Sequence, residues 1–399
     1  MRKLAHAQKI AIVSPDDFTL VNFRGHLIDD FLSLGVEVHV LAPPPNEGVF
    51  AFLKEKGVFC HSLPLKRTGQ NPFQDLRYYA FLKRFFKKYH FHKVLAYGVK
   101  PIIYTGWSLQ NPRTKFYALI TGLGYVFGKP KRRLQFLYFK GIHFLYQKAL
   151  QKAHKVIFQN LDDKALFERK SLVDAAKTYR VNGSGVDLSY YKAELPKTKP
   201  FSFLMVSRLL IDKGIVEYLQ ASAILQQKYP NVKFYLLGAK EAHPNAVDVK
   251  VIEKYQKNGV IHYLGECKDV RPIVEAFGSV HVLPSNREGV PRANLEAMSM
   301  QRPIITTNSP GCKDTVIDGF NGFEVPVQSV DALVEAMEKF ISNPELLREM
   351  GQNSRKLAAA RFDVHQVNAQ MLGIMDLPVL KQEPIKADQP KPKVNFSLV

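Results

Sequence analysis

The stretch Pro284-Ser-Asn-Arg-Glu288-Gly-Val-Pro291-Arg-Ala-Asn-Leu-Glu296-Ala-Met298 decides how this chain is read. His281-Val282-Leu283 ahead of it reads as the end of a buried strand. Glu288-Gly289-Val290 reads as a loop, and Pro291 suits the first turn of a helix, where its missing N–H would be unpaired anyway. The helix is expected to run through Asn294, Glu296 and Met298 until Gln301-Arg302-Pro303 stops it. One carboxylate then sits in the loop before a helix start and the other about one turn inside. Between them lie backbone N–H groups at the positive end of a helix, which form an anion site. Carboxylates make poor phosphate ligands but good acceptors for sugar and ribose hydroxyls. The combination fits a nucleotide-sugar.

Glutamates at this spacing are common, and one in a first helical turn also favours the macrodipole with no further role. The neighbours narrow the choice. Pro284-Ser285, Glu288-Gly289 and Glu296-Ala297, with the downstream Gly311-Cys312, Asp318-Gly319 and Asn321-Gly322-Phe323, resemble the E-x7-E signature of the retaining glycosyltransferases of family 4. That resemblance implies an α/β chain of the GT-B fold: two Rossmann-like doubly wound domains facing across a cleft.

At 399 residues the chain is long enough for two domains of ordinary size. No apolar run approaches the roughly 18 residues of a membrane span. The start, Met1 to Ile10, leads into a short apolar strand and does not read as a signal peptide. Three scattered cysteines, Cys60, Cys267 and Cys312, argue against a disulfide framework and for a reducing cytosol. Charge is lopsided: residues 1–195 hold 31 Lys and Arg against 14 Asp and Glu, whereas the remainder holds 25 against 22. From Leu76 to Leu161 there are 17 basic residues and no acidic one, so the N-terminal half alone is built to meet something negative.

Short apolar runs alternate with helical patterns throughout, which predicts parallel βαβ units. Ile10–Val13, Glu37–Leu41, Lys93–Tyr97, Lys115–Leu119 and Val156–Phe158 are expected to form a first sheet, with helices near Arg24–Leu34, Gln74–Tyr89 and Lys131–Ala153. A second series comprises Ser202–Val206, Val232–Leu237, Val260–Leu264, Val280–Leu283, Pro303–Thr306 and Gly322–Val325. Its helices are expected near 214–229, 247–257, 291–300, 330–342 and 344–361. The polar, proline-bearing stretch Tyr190–Pro200 is taken as the linker. This divides the chain into a basic acceptor-side domain at 1–190 and a nucleotide-sugar domain at 191–362. A helix at 363–375 crosses back in the resembled family, and the proline- and charge-rich tail 376–399 reads as disordered.

Arg208 and Lys213 flank the turn from the second domain's first strand to its first helix. Two fixed cations there can hold a diphosphate, each charge-assisted contact being worth roughly 1.5–3 kcal/mol. The family's donor-phosphate pair stands at matching positions, in Ser207-Arg208-Leu209 and Asp212-Lys213-Gly214. By resemblance, Arg208, Lys213 and Glu288 are the catalytic residues, and donor contacts come from Gly238, Leu264, Glu266, Gly289, Val290, Pro291 and Glu296. Glu288 would hold donor-sugar hydroxyls and Glu296 those of the ribose. No Asp-x-Asp motif occurs, so neither a metal nor another cofactor is expected, and no lysine is marked out for pyridoxal phosphate. Uridine is expected as the base on family grounds only.

On the acceptor side, Asn22-Phe-Arg24-Gly25-His26 resembles the family's N-terminal glycine loop, reduced here to Gly25. Ile120-Thr121-Gly-Leu-Gly-Tyr125-Val-Phe-Gly128 superficially suggests a dinucleotide fingerprint. It lacks the acidic ribose ligand about 20 residues on, since no acid follows until Asp162. Its Gly-Leu-Gly form is similar to a sub-branch that adds N-acetylhexosamines to polyprenyl-diphosphate-linked sugars in bacterial glycan assembly, a similarity covering most of residues 8–365. Arg24, Gly25, Thr121 and Tyr125 are therefore the acceptor-side candidates. His90 and His92 lack a third ligand, so packing or surface roles are favoured over metal. Gly183 and Gly185 resemble an interdomain turn.

Aromatics and cations interleave in Phe81–Lys93 and Lys129–Lys148, a pattern suited to an anionic bilayer interface at about 1 kcal/mol per basic residue. The alternative is that Leu134, Leu137, Phe144 and Leu145 simply pack on the sheet. Nucleic-acid binding is the competing reading of this basic half; no recognisable module supports it. The expectation is a peripheral enzyme on the cytosolic membrane face that uses a nucleotide-sugar and a lipid-linked acceptor.

Overall fold

The computed structural model describes residues 8–44, 47–65, 71–123, 127–128, 133–197, 199–240, 243 and 245–380. Contacts divide these into two compact units. The first runs up to Ser184 and resumes at His365; the second is Gly185–Val364.

The first unit holds a seven-stranded sheet of β1 (Lys9–Val13), β2 (Glu37–Ala42), β3 (Phe59–Ser62), β4 (Lys93–Tyr97), β5 (Lys115–Ile120), β6 (Lys155–Phe158) and β7 (Thr178–Arg180). Their order is β3-β2-β1-β4-β5-β6-β7, with every pairing parallel. Helices α1 (Phe18–Ser33), α2 (Glu47–Glu55), α3 (Pro72–Lys88), α4 (Val99–Ser108), α5 (Arg133–Gln151) and α6 (Leu161–Arg169) follow the strands in turn. Central strands such as β4 are buried along their whole length, which is why they read as unbroken apolar runs. The edge strands β3 and β7 are half-exposed and carry His, Ser, Thr and Arg, so no such run marked them.

The second unit repeats the design. Strands β8 (Ser202–Val206), β9 (Lys233–Leu237), β10 (His262–Tyr263), β11 (Val280–Leu283), β12 (Ile304–Thr307) and β13 (Gly322–Val325) form a parallel sheet in the order β10-β9-β8-β11-β12-β13. Helices α7 (Ile215–Lys228), α8 (Val249–Lys257), α9 (Arg271–Phe277), α10 (Arg292–Ser299), α11 (Val330–Ser342) and α12 (Leu346–Arg361) accompany it.

The division lies six residues ahead of the expected boundary between 190 and 191. Val186 N donates to Phe362 O at 2.7 Å and Val364 N to Val186 O at 3.1 Å, so Gly185–Tyr190 belong to the second unit. The last helix, α13 (Val364–Ile374), packs on the first sheet: Val367, Met371, Leu372 and Met375 share a core with Ile10, Ile12, Val38 and Val40.

The chain stays ordered past the point where the tail was expected to begin. Asp376 lies among Lys115 (2.9 Å), Lys155 (2.8 Å) and the Tyr117 hydroxyl (3.3 Å), and Leu377 is buried. Residues 381–399, the rest of that tail, lie outside the described residues. Hydrogen bonds from Lys155 and Lys115 hold the Asp376 carboxyl well below the usual carboxylate range. A depressed carboxylate contributes stability above its unfolded value, near 4, and loses it as the pH falls toward the folded one. The site is open enough for solvent to screen it, so Asp376→Asn is expected to cost about 1 kcal/mol. Urea unfolding at pH 7 would show the loss, and it should shrink below about pH 4.

Candidate functional site

In each sheet the strand order reverses once, and in folds of this kind ligands bind beyond the carboxyl ends of the strands at that point. In the second sheet the reversal lies between β8 and β11. Ser207-Arg208 follows β8, and Pro284–Glu288 follows β11.

The two loops are joined through the main chain. Asp212 O, in the short 3-10 turn Ile211–Lys213, accepts from Asn286 N at 2.8 Å and from Ser285 Oγ at 3.1 Å. Gly214 follows in the left-handed region (φ +76°), and a Cβ there would lie 2.1 Å from Pro284 O. Only glycine lets the turn approach β11 this closely. As a result Lys213 Nζ reaches Glu288 Oε1 at 2.5 Å, and Ser285 Oγ, whose one proton has Asp212 O as its other acceptor, lies 3.1 Å from the same oxygen. The pair is largely shielded, with 11% and 17% of the side chains accessible. On the other side Glu288 N donates to Pro310 O at 3.0 Å, and Gly311 (φ +79°) would place a Cβ 2.4 Å from Glu288 O. The loop carrying Glu288 is thus held from both flanks.

Helix α10 starts at Arg292, with Pro291 as its extended N-cap rather than its first-turn residue. Gly289, Val290 and Pro291 are buried at its mouth. Glu296 Oε1 accepts from Tyr191 Oη at 2.7 Å and from Arg292 Nε at 2.9 Å, and Arg292 Nη1 also donates to Gly185 O.

Gly238 follows β9 with a packing reason of its own: a Cβ would lie 1.7 Å from Ser207 O, so its absence lets the end of β9 close against the Arg208 loop. Leu264 spends its amide on Leu236 O (2.8 Å) and half-buries its side chain, while Glu266 is exposed. The loop carrying Arg208, the Lys213–Glu288 pair and the α10 mouth therefore lie at one switch point. Sequence reasoning missed Tyr191, which lies in the segment taken as linker and meets Glu296 across 105 positions. Arg292 lay within the quoted stretch, and its i,i+4 spacing to Glu296 was the available signal.

The first sheet reverses between β1 and β4. There Ser14 Oγ donates to Tyr97 Oη at 2.7 Å, and the buried Arg24 guanidinium lies 5.4 Å from the Tyr97 ring. The expected glycine loop is corrected here. Asp16 Oδ1 accepts from Thr19 N at 2.8 Å and starts α1 at Phe18, so Arg24 and Gly25 lie inside the helix. The Gly25 amide belongs to the helix ladder and is not a loop donor. Thr121 follows β5 and is half-buried; Tyr125 lies outside the described residues. His92 Nδ1 accepts from Lys9 N at 3.0 Å, and Gly185 (φ +69°) packs on Val364.

On α5 the packing alternative fails for two of its residues. Leu137 is 62% and Phe144 54% exposed, while Leu145 packs on the core. Lys140 lies over Phe136 at 4.7 Å and Lys148 over Phe144 at 5.6 Å. Among the described residues no group of three or more His, Cys, Asp or Glu is placed to hold a metal, and no helix is long and apolar enough to cross a membrane.

Residues 189–357 match the family described as glycosyl transferases group 1. The second unit carries a glycosyl transferases group 1 domain. A relative in Campylobacter jejuni, N,N'-diacetylbacillosaminyl-diphospho-undecaprenol alpha-1,3-N-acetylgalactosaminyltransferase, is 23% identical over 389 residues, covering 92% of this chain and 98% of its own. The Escherichia coli UDP-Gal:alpha-D-GlcNAc-diphosphoundecaprenol alpha-1,3-galactosyltransferase is 26% identical over 254 residues, 60% of this chain and 64% of its own. Among solved structures, Anabaena HepE in complex with UDP-glucose superposes with a TM-score of 0.72 at 17% identity, over 92% of this chain and 99% of the other. The fold is GT-B.

On β11, His281 is 1% exposed, and burial, partly offset by Asn294, pushes its imidazole down to about 4. A histidine held neutral stabilises the fold above its unfolded value of about 6.5, and the contribution is lost as the pH falls from there toward the folded value. We expect about 2 kcal/mol of stability to disappear through this residue between pH 7 and pH 5. Urea titrations of His281→Leu over that range should show a correspondingly flatter pH dependence than the native chain.

Proposed function

We propose that the protein is a retaining, metal-independent glycosyltransferase of family 4. It moves a hexosyl group, an N-acetylhexosaminyl group by the resemblance noted above, from a UDP-sugar to a hydroxyl of a polyprenyl-diphosphate-linked saccharide in bacterial surface glycan assembly. The observation that carries this reading is the Lys213–Glu288 pair at the second sheet's switch point, beside the α10 mouth and the loop that carries Arg208. Cations and backbone donors suit a diphosphate; carboxylates beside them suit hydroxyls. The Campylobacter and Escherichia relatives, by name, both act on diphospho-undecaprenol-linked sugars, which supports the acceptor class.

In this reading the bond from C1 to the β-phosphate oxygen breaks while the acceptor oxygen bonds to C1 on the same face. The departing phosphate takes the acceptor's proton. Arg208, Lys213 and the amides at the start of α10 stabilise the charge that develops on the phosphate, the kind of preorganised electrostatics that is usually the largest catalytic term. Lys213 gives one of its three N–H donors to Glu288 and keeps two for phosphate. With two protein cations in place, no metal or other cofactor is required. Glu288 binds the sugar hydroxyls and Glu296 those of the ribose. Arg24 and Thr121 lie on the acceptor side.

The exposed aromatic–cation face of α5 supports docking to the anionic inner face of the cytoplasmic membrane, where a lipid-linked acceptor would be met.

Replacing Glu296 by Ala is expected to raise the donor KM at least about tenfold by removing charge-assisted hydrogen bonds. Steady-state kinetics with a UDP-sugar, chosen by thermal-shift screening of nucleotide-sugars, tests this, and unchanged donor kinetics would remove Glu296 from the site. Vesicles containing anionic lipid should co-sediment the protein at low salt and release it at high salt, with no comparable retention by single-stranded or duplex DNA. Tight DNA binding with no response to UDP would reverse the assignment.

A further inference from the structure

Arg292 sits where local helix rules disfavour it. A cation in the first turn of α10 opposes the macrodipole, and Arg placed four residues ahead of Glu is the weaker orientation of an i,i+4 pair. The pair is nevertheless largely shielded, with 13% and 14% of the side chains accessible. Such a local violation points to a task other than helix stability.

The hydrogen bonds show the task. Arg292 Nε and Tyr191 Oη both donate to Oε1 of Glu296, at 2.9 and 2.7 Å. Among the described residues neither bond goes to Oε2. Each donor is itself anchored: Arg292 Nη1 on Gly185 O, and the Tyr191 main chain on Arg355 Nη1 at 2.8 Å and on Ser299 Oγ at 2.7 Å. One carboxylate oxygen is thus saturated by fixed donors and the other is left available.

We propose that Tyr191 is a positioning residue for Glu296: with Arg292 it pins Oε1 so that Oε2 faces the ribose hydroxyls of the nucleotide donor. The inference rests on the reading of Glu296 as the ribose acceptor. Tyr191 touches no substrate; it acts by fixing the carboxylate's rotamer, so that binding the ribose does not have to immobilise it.

Calorimetric titration of the full chain with UDP and with 2′-deoxy-UDP tests this. The native protein should bind UDP about tenfold more tightly than 2′-deoxy-UDP, the value of one hydrogen bond to a charged group. Glu296→Ala should abolish the difference. Tyr191→Phe keeps the ring and loses only the hydroxyl; it should reduce the difference to about threefold or less without lowering Tm. A purely structural role would weaken both nucleotides equally and leave their ratio intact. Full discrimination retained in Tyr191→Phe, alongside its loss in Glu296→Ala, would overturn the positioning role while the ribose reading stands. Absence of discrimination in the native protein would overturn both. Should Tyr191→Phe unfold, Arg292→Lys, which keeps the charge but not the Nε donor, is expected to show the same narrowing, and an unchanged ratio in it overturns the inference.

Discussion

A main-chain junction organises the candidate site: the carbonyl of Asp212 accepts both Asn286 N and Ser285 Oγ, binding the turn after β8 to the loop after β11. These loops follow strands that are neighbours in the sheet but about 75 residues apart in the chain. Once they are joined, Lys213 and Glu288 face each other without having to search for one another. The distinction matters energetically. A freely exposed pair gains little because two long side chains must be ordered. A pair set by its backbone avoids much of that entropy, and removing one member leaves a shielded charge alone, at roughly 3–5 kcal/mol for a buried pair.

That arrangement also suits a changing ligand. In the proposed reading Glu288 must be kept from repelling a diphosphate, and Lys213 offsets its charge. Ser285 Oγ lies 3.1 Å from the same oxygen. In that reading a phosphate arriving beside Lys213 meets an ammonium already paired with a carboxylate. The backbone groups at the start of α10 add positive potential without adding side-chain entropy.

Much of the architecture was legible in the sequence, for a physical reason. Strands buried on both faces, such as Lys93–Tyr97 and Val280–Leu283, need continuous apolar runs, and helices such as Val330–Ser342 need a period of 3.6. Edge strands need neither, and Phe59–Ser62 and Thr178–Arg180 went unseen. The start of α1 was placed late because Gly25 looked like a loop residue; it sits in the helix with open space around it. In the candidate site, the sequence marks Arg208, Lys213, Glu288 and Glu296 as a spaced pattern of charges. Tyr191 was not, because nothing local marks a tyrosine whose partner is distant in sequence.

Glycines hold the loops of the candidate site close to one another. Gly214 abuts Pro284 O, Gly238 abuts Ser207 O and Gly311 abuts Glu288 O, each at a distance where a side-chain carbon would collide with backbone. Contacts of this kind depend on the absence of a side chain and on main-chain geometry, not on the identity of the surrounding residues. The apolar residues that fill the cores can then exchange in size and shape as long as the sheet order is kept. A structure that shares 17% of its residues superposes at a TM-score of 0.72. By the same reasoning, variation that separates one substrate from another is expected in the side chains that line these fixed loops, and not in the loops' paths.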